Sequence, residues 1–340
     1  MKWFCFGLLA VLTAGLCGAE PAGRERAVTS ASVPAISVTN DPVELAYEKL
    51  MTDDDAALQE IDGWIQENRA FAEKGAGVPN EELNRRIMTR LAPIRKAYED
   101  FLQQHPNHSR ARLAYASFLE DIHQEDAALA QMLKAKEVDP KNPAVWNNLA
   151  NYYGHYSPVT NAFAHYEKAI ELDPKEPVYY HNFGTTVFLF RKDAMAYYGL
   201  NEQQVFDKAL MLYSNALSLD PTNFLLATDI AMTYYGIKPP RSEAALAAWN
   251  YALKLADGSL AREGVFIHLA RTELNAGRYA AARRHLDAVT NPELAELRDR
   301  VRRNVDEKER EAAGTTNHPA ADVKSAAVSA GATNAPAPAP

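Results

Sequence analysis

The chain has almost no cysteine. Only Cys5 and Cys17 occur among its 340 residues, and both lie near the beginning. The rest of the chain therefore forms neither a disulfide nor a zinc–thiolate site, and it has no cysteine nucleophile. An excess of basic residues is also missing, since 36 Lys and Arg face 44 Asp and Glu, for a net charge of −8 and a pI of about 5.7. That balance argues against a nucleic-acid binder with a broad basic face.

Apart from its beginning, the chain lacks a long apolar run. Residues 1–19 consist of a short basic start at Lys2, a stretch of apolar residues, and the small residues from Cys17 to Ala19. These are the parts of a secretory signal peptide, and the stretch is shorter than the roughly 20 residues of a bilayer span. We predict export with cleavage after Ala19. A lipid on Cys17 and a retained N-terminal anchor are the alternatives, although Leu16 is bulky where a lipoprotein signal has a small residue.

Motifs for catalysis and for metal binding are missing as well. The nine histidines form no His-Glu-x-x-His pair, and the chain contains no Gly-x-Ser-x-Gly elbow and no phosphate-binding loop. The three aspartates that begin at Asp53 are not followed by the loop of a calcium site, and they suit the start of a helix. The sequence therefore predicts no enzyme activity, no metal and no cofactor.

Helical spacing of apolar residues dominates the chain between its two ends, and the alternation typical of strands is absent. Residues 20–40 are small, polar and rich in turn formers, which predicts a linker. Residues 312–340 have no aromatic residue and end in an Ala-Pro run, a composition that predicts disorder. Within residues 41–108 we predict N-terminal helices with a degenerate repeat, at Pro42–Leu50, Asp53–Phe71 and Glu81–Leu102.

A 34-residue repeat runs through the middle of the chain. Pro140, Pro174 and Pro221 each follow an aspartate that ends an apolar helical stretch, and Pro106 takes the same place after a histidine. Successive prolines are 34, 34 and 47 residues apart, so the third interval holds about 13 extra residues. Each proline ends a helix, because proline lacks a backbone donor and restricts the residue before it. A recurring unit of this length predicts a solenoid of helix pairs.

The residues within this period resemble the tetratricopeptide repeat, and weaker copies on both sides extend the resemblance over residues 109–290. The resemblance implies an all-α, right-handed solenoid of antiparallel helix pairs. In such a solenoid, small residues let two helices approach and large residues fill the gap to the next pair. Residues 291–311 show one apolar stripe, which predicts a C-terminal capping helix. The best copy matches the family pattern at Trp146, Leu149, Ala150, Tyr153, Ala162, Tyr166, Ala169 and Pro174.

The resemblance also implies a function, because members of this family bind a peptide or partner protein in a concave groove lined by the first helix of each unit. Amides in such positions suit the backbone of an extended peptide. Leu113 stands where a carboxylate-gripping groove has a lysine, which disfavours a carboxylate clamp. The groove positions map onto Asn147, Asn148, Asn151, His181, Asn182, Thr185, Asp229, His268 and Arg271.

The unit between Pro174 and Pro221, which is the third unit of the array that begins at residue 109, departs from the pattern by its extra residues. We place these residues near 186–198. Two interpretations are open. In the first, side chains such as Phe190, Arg191 and Tyr197 add contact area to the groove. In the second, the insertion only covers an edge of the solenoid. We predict an accessory segment, so that deletion of residues 186–196 leaves the fold intact.

These features predict an exported protein-interaction scaffold of a bacterial envelope or exterior, periplasmic or secreted. Its predicted partner is a protein or peptide, with no nucleic acid, and with a membrane only through a retained signal or a lipid on Cys17. Two other classes stay open. One is a non-catalytic subunit or assembly factor of an envelope enzyme complex, and the other is a structural protein associated with cell-wall polysaccharide.

Overall fold

The structure of the chain is a computed structural model that describes residues 41–73, 75–156 and 158–316. The predictions for residues 1–40 and for the end of the tail lie outside these residues. Within them there is no strand, and helices follow one another throughout. Two short 3₁₀ turns, Tyr234–Gly236 and Pro292–Leu294, complete the order. The α-helices are α1 (Pro42–Ala72), α2 (Asn80–Gln104), α3 (Ser109–Asp121), α4 (Glu125–Val138), α5 (Pro143–Tyr156), α6 (Thr160–Leu172), α7 (Pro177–Leu189), α8 (Arg191–Tyr198), α9 (Glu202–Leu219), α10 (Phe224–Thr233), α11 (Ser242–Leu255), α12 (Gly258–Asn275), α13 (Tyr279–Asp287) and α14 (Ala295–Thr316).

The helices form a row of pairs. The closest packing joins α1 with α2, α3 with α4, α5 with α6, α7 with α9, α10 with α11 and α12 with α13, and each pair then contacts the next. We call α1, α3, α5, α7, α10 and α12 the first helices, and their partners the second helices. The predicted all-α array of helix pairs is confirmed. None of the described helices is both long enough and apolar enough to cross a membrane.

Packing within the array follows the small and large positions of the repeat. Ala150 on α5 is completely buried against the neighbouring helices. The ring of Tyr166 on α6 stacks on Phe183 of the next pair, with ring centroids 5.4 Å apart. A Cβ on Gly184 would lie 3.0 Å from the ring of Tyr213, closer than most Cβ contacts, so the ring would have to shift to admit a methyl group. Each pair therefore buries its apolar side chains against its neighbours and not alone.

The N-terminal helices differ from the prediction, because α1 is one continuous helix across the expected break at Asp53. Asp41 caps it, accepting a hydrogen bond from the backbone of Val43 at 2.9 Å. Asp54 in the middle of α1 is completely buried and accepts a hydrogen bond from the hydroxyl of Tyr98, at 2.5 Å. The predicted helix start at Asp53 is wrong, since α1 runs without a break through this residue, and the hydroxyl of Tyr98 compensates the burial of the neighbouring carboxylate.

The extra residues of the third unit form the separate short helix α8. Helix α7 continues to Leu189, so Thr186 and Val187 belong to a first helix and are buried in its core. Ala194 of α8 is completely buried as well. The expectation of a removable accessory is corrected by this packing. Deletion of residues 186–196 would take buried side chains out of the core, and we now expect it to disrupt folding.

The last helix, α14, closes the C-terminal end of the array. It begins at Ala295 and continues to Thr316, so it includes residues that the composition assigned to the disordered tail. Val301 and Val305 are buried against α12 and α13, while Arg283 of α13 pairs with Asp306 at 2.7 Å. One apolar side and one charged side are what the end of a solenoid needs.

Candidate functional site

Polar side chains of consecutive first helices meet on one surface of the array. Asn182 of α7 donates from Nδ2 to Oδ1 of Asn147 on α5, at 3.3 Å. On the other side of α7, Nε2 of His181 lies 3.4 Å from Oδ2 of Asp229 on α10. The first helices of three successive pairs therefore lie side by side. We call the surface formed by α3, α5, α7, α10 and α12 the inner face.

Two of the predicted groove asparagines serve the fold. Asn147 is 1% exposed, and its amide oxygen is occupied by the bond from Asn182. Asn151 accepts a hydrogen bond from the buried hydroxyl of Tyr166, at 2.6 Å. Buried hydroxyls need such acceptors, since an unpaired one costs about 1–3 kcal/mol. The expected role of Asn147 as a peptide clamp is therefore corrected, and Asn151 is first an acceptor for Tyr166.

Thr185 also has an internal partner. Its Oγ1 lies 3.0 Å from the hydroxyl of Tyr213 on α9. Burial raises the pKa of Tyr213 to about 12, so that this hydroxyl stays neutral. The pair joins the first and second helices of its unit and leaves little of Thr185 for a partner.

His268 is part of an aromatic cluster below the inner face. It is 5% exposed and stacks on Trp249, with ring centroids 4.1 Å apart and planes 7° apart. Its Nδ1 lies 3.1 Å from the hydroxyl of Tyr235. Burial, together with the charge of Arg271, lowers the pKa of His268 to about 3, so the ring is neutral. The expectation that His268 contacts a partner is corrected, and Arg271, over the Tyr235 ring at 5.1 Å, is the residue that offers a cation here.

The predicted residues that remain accessible form a smaller site. His181 and Asp229 have side-chain exposures of 30% and 37%. Asn148 is half-buried, and its side chain makes no hydrogen bond to another described residue. With Asn182 and Arg271, these side chains supply donors and acceptors along α5, α7, α10 and α12. In the described part of the chain, no three His, Cys, Asp or Glu side chains come together as metal ligands would.

An acidic feature in the last turn of α3 was missed at the sequence level. Burial, and then the charges of Asp121 and Glu125, raise the pKa of Glu120 to about 7. Burial also raises the pKa of Tyr152 on α5, to which Asp126, Glu120 and Glu125 add. The sequence held a signal for this site, since two adjacent carboxylates at the end of a helix oppose the helix dipole.

The predicted residues of the insertion lie away from the inner face. Arg191 donates from Nε to Glu202 of α9, at 2.9 Å. The ring of Tyr197 packs on Phe163 of α6, at 5.3 Å, and Phe190 packs on the same core cluster. Helices α6 and α9 are second helices. The interpretation in which the insertion adds contact area to the groove is corrected by these contacts, and α8 instead covers an edge of the array.

Comparisons with known proteins give similarity of fold only. No protein-family model matches the chain, and no curated protein matches it. The crystal structure of MamA is 20% identical with a TM-score of 0.39, over 52% of this chain and 95% of that one. YrrB, described as a TPR protein with an unusual peptide-binding site, is 16% identical with a TM-score of 0.42, over 57% and 91%. PilF of Pseudomonas aeruginosa is 14% identical with a TM-score of 0.46, over 76% and 99%. The tetratricopeptide-like fold of this chain rests on its own helix pairs and buried positions.

Proposed function

We propose that the chain is a non-catalytic interaction scaffold that binds a peptide or partner protein on its inner face. The observation behind this proposal is the row of accessible polar side chains across three consecutive first helices, from Asn148 on α5 through His181 and Asn182 on α7 to Asp229 on α10. These groups suit the amides and carbonyls of an extended backbone or the polar side of a helix.

The chemistry of the row favours recognition over turnover. The contact between Nε2 of His181 and Oδ2 of Asp229 is 3.4 Å long and partly open to solvent, and a contact of this kind is worth about 0–1 kcal/mol, so a partner can replace it at little cost. Arg271 on α12 adds a cation further along the same surface. A partner that offers both backbone groups and a carboxylate therefore fits better than a purely apolar one.

We also propose that the chain is exported to a bacterial envelope or exterior, as a periplasmic or secreted protein. This proposal rests on the composition of residues 1–19, which has the basic start, apolar stretch and small-residue end of a signal peptide. Mass spectrometry of the protein from its native source tests it. A mature N-terminus at Glu20 supports cleaved export, an N-terminal lipid-bearing Cys17 contradicts cleavage after Ala19, and an intact Met1 contradicts cleavage altogether.

Inner-face binding is tested by charge-matched variants in a cross-linking capture from native extract. Asn148→Arg with Asp229→Arg places two long cations on the inner face. The control, Asn215→Arg with Glu171→Arg, makes the same change in charge on exposed positions of the second helices α9 and α6. Circular dichroism first establishes equal helicity.

We expect wild type and control to enrich the same partner, and the inner-face variant to bind it about tenfold or more weakly, as measured by calorimetry with the purified partner. Equal binding by all three proteins would place the interaction elsewhere. Loss in both variants would show a charge effect that has nothing to do with the inner face.

A further inference from the structure

The first helix pair is much longer than the pairs that follow. At about 1.5 Å per residue, the 31 residues of α1 and the 25 of α2 span about 46 and 37 Å, against about 20 Å for the 13 residues of α3. Burial on α1 ends at Ile61 and begins again on α2 at Leu91, and no described residue between them is buried. We call residues 62–90 the overhang, because they extend past the packed base of the pair.

The heptad pattern of α1 continues into the overhang, where its side chains are no longer buried. The buried residues of α1 follow each other at spacings of three and four, and this series continues through Trp64 and the polar Asn68 to Phe71. Beside it lies a second apolar stripe at Met51, Leu58 and Ile65, spaced seven residues apart. A helix that packs against a single other helix needs only the first series of apolar residues. A third apolar residue in each heptad is typical of a helix in a larger bundle. In the base, Met51 and Leu58 pack on the core, but Ile65 in the overhang is 44% exposed.

Exposed apolar side chains are concentrated in the overhang. Phe71, Val78 and Met88 are 55%, 49% and 48% exposed, in addition to Ile65. The pair also carries a cleft of about 470 Å³, lined by Trp64 and mostly by polar and charged side chains, and the Trp64 ring lies 3.8 Å from the guanidinium carbon of Arg86. A concentration of exposed apolar side chains on one short segment is typical of a contact surface.

The length and the net charge of the overhang indicate which kind of partner covers it. A helix pair of the size found in the rest of the array already packs against the base and leaves the overhang uncovered, so the missing partner needs helices as long as α1 and α2. Residues 62–90 contain five acidic and five basic residues, hence a net charge of zero in a chain of net charge −8. Two copies therefore meet here without the repulsion that their overall charge would produce, and a strongly charged partner gains nothing.

We propose that two copies of the chain pair through their overhangs, each contributing α1 and α2 to a four-helix bundle with two-fold symmetry. Such a bundle supplies the additional helices that the apolar stripe of α1 requires. The C-terminal end needs no such partner, because α14 closes it.

Sedimentation velocity of the purified chain from about 1 to about 100 µM tests the proposal, since a dimer depends on concentration. We expect twice the mass of the monomer at the upper end, where the monomer is 37.6 kDa for the full sequence and less once residues 1–19 are removed. The variant Ile65→Glu with Met88→Glu should raise the dissociation constant about a hundredfold or more, because four charges enter one apolar contact. The control, Leu133→Glu with Leu225→Glu, makes the same change at exposed positions of α4 and α10, and it should stay dimeric.

Circular dichroism checks that all variants keep the helicity of the wild type. We expect this result because the substituted side chains are exposed. A wild type that is monomeric at every concentration overturns the proposal, and in that case residues 20–40 of the same chain are the next occupant to test. A dimer that survives the overhang variant, or one that the control variant breaks, overturns it equally by placing the interface elsewhere.

Discussion

Replacing Glu120 with glutamine should stabilise the protein above neutral pH and have little effect at acid pH. The reason is the raised pKa of this carboxyl, which burial and the charges of Asp121 and Glu125 shift from 4.5 to about 7. Between these two values the folded chain holds a proton that the unfolded chain releases. The contribution of Glu120 to the free energy of unfolding of the wild type therefore falls as pH rises from 4.5 to about 7, and it is constant at higher pH.

The size of the effect follows from the same values. The rise in pKa corresponds to about 3 kcal/mol, at about 1.4 kcal/mol per pH unit. The side chain of Glu120 keeps some contact with solvent, which reduces the expected gain to about 1–2 kcal/mol. Glutamine has the same shape and no charge, so it removes this penalty at every pH.

Urea unfolding followed by circular dichroism measures the difference, at about pH 5 and about pH 8.5. We expect the midpoints of wild type and Glu120→Gln to lie close together at the lower pH and to separate at the higher one, with the variant more stable. Glu137→Gln is the matched control, since Glu137 is exposed on the adjacent helix α4. A gain that does not depend on pH, or a less stable variant at high pH, would refute the reasoning.

Three further substitutions test the packing of the array and its C-terminal end. Gly184→Ala should cost about 1–3 kcal/mol in urea unfolding, because the new methyl would lie 3.0 Å from the ring of Tyr213. Gly154→Ala, whose methyl meets only ordinary contacts, should gain about 0.5–1 kcal/mol, and an equal effect of the two would contradict the packing argument. Hydrogen bonds from the backbone, first that of Asn291 at 2.6 Å, lower the pKa of Glu263. The stabilisation that this carboxylate provides is present above pH 4.5 and is lost as pH falls through its lower folded pKa. Glu263→Gln should therefore cost about 1–3 kcal/mol of folding stability at pH 7 and little in acid. Thermal melts at both pH values measure the difference.

The sequence predicted the array well, because its determinants are local. The 34-residue spacing of Pro140 and Pro174 sets the length of a unit, and the small and large positions between them set the packing. The break predicted at Asp53 failed because the partner of the neighbouring Asp54 is a tyrosine 44 residues away. No pattern within α1 indicates that a buried phenol satisfies this carboxylate.

The site was only partly predictable, for a related reason. The repeat identifies the helices that line the inner face, and Asn148 and Asp229 are accessible there. Asn147, Asn151 and His268 occupy equivalent positions but bind other parts of the fold. Their partners lie 35, 15 and 19 residues away along the chain, on different helices. Which polar side chains remain for a ligand is therefore decided by tertiary packing.

The order of the pairs along the chain has a consequence for synthesis on the ribosome. The substantial helix contacts join segments that are close in sequence, so a pair can close as soon as its second helix has emerged. The third unit is the exception, because α7 must wait until α8 has been made before α9 arrives. Of the described helices, α14 is synthesised last, and until then the apolar side of α12 and α13 stays exposed to solvent. A nascent chain that stalls before α14 is therefore the form of this protein that most needs protection from aggregation.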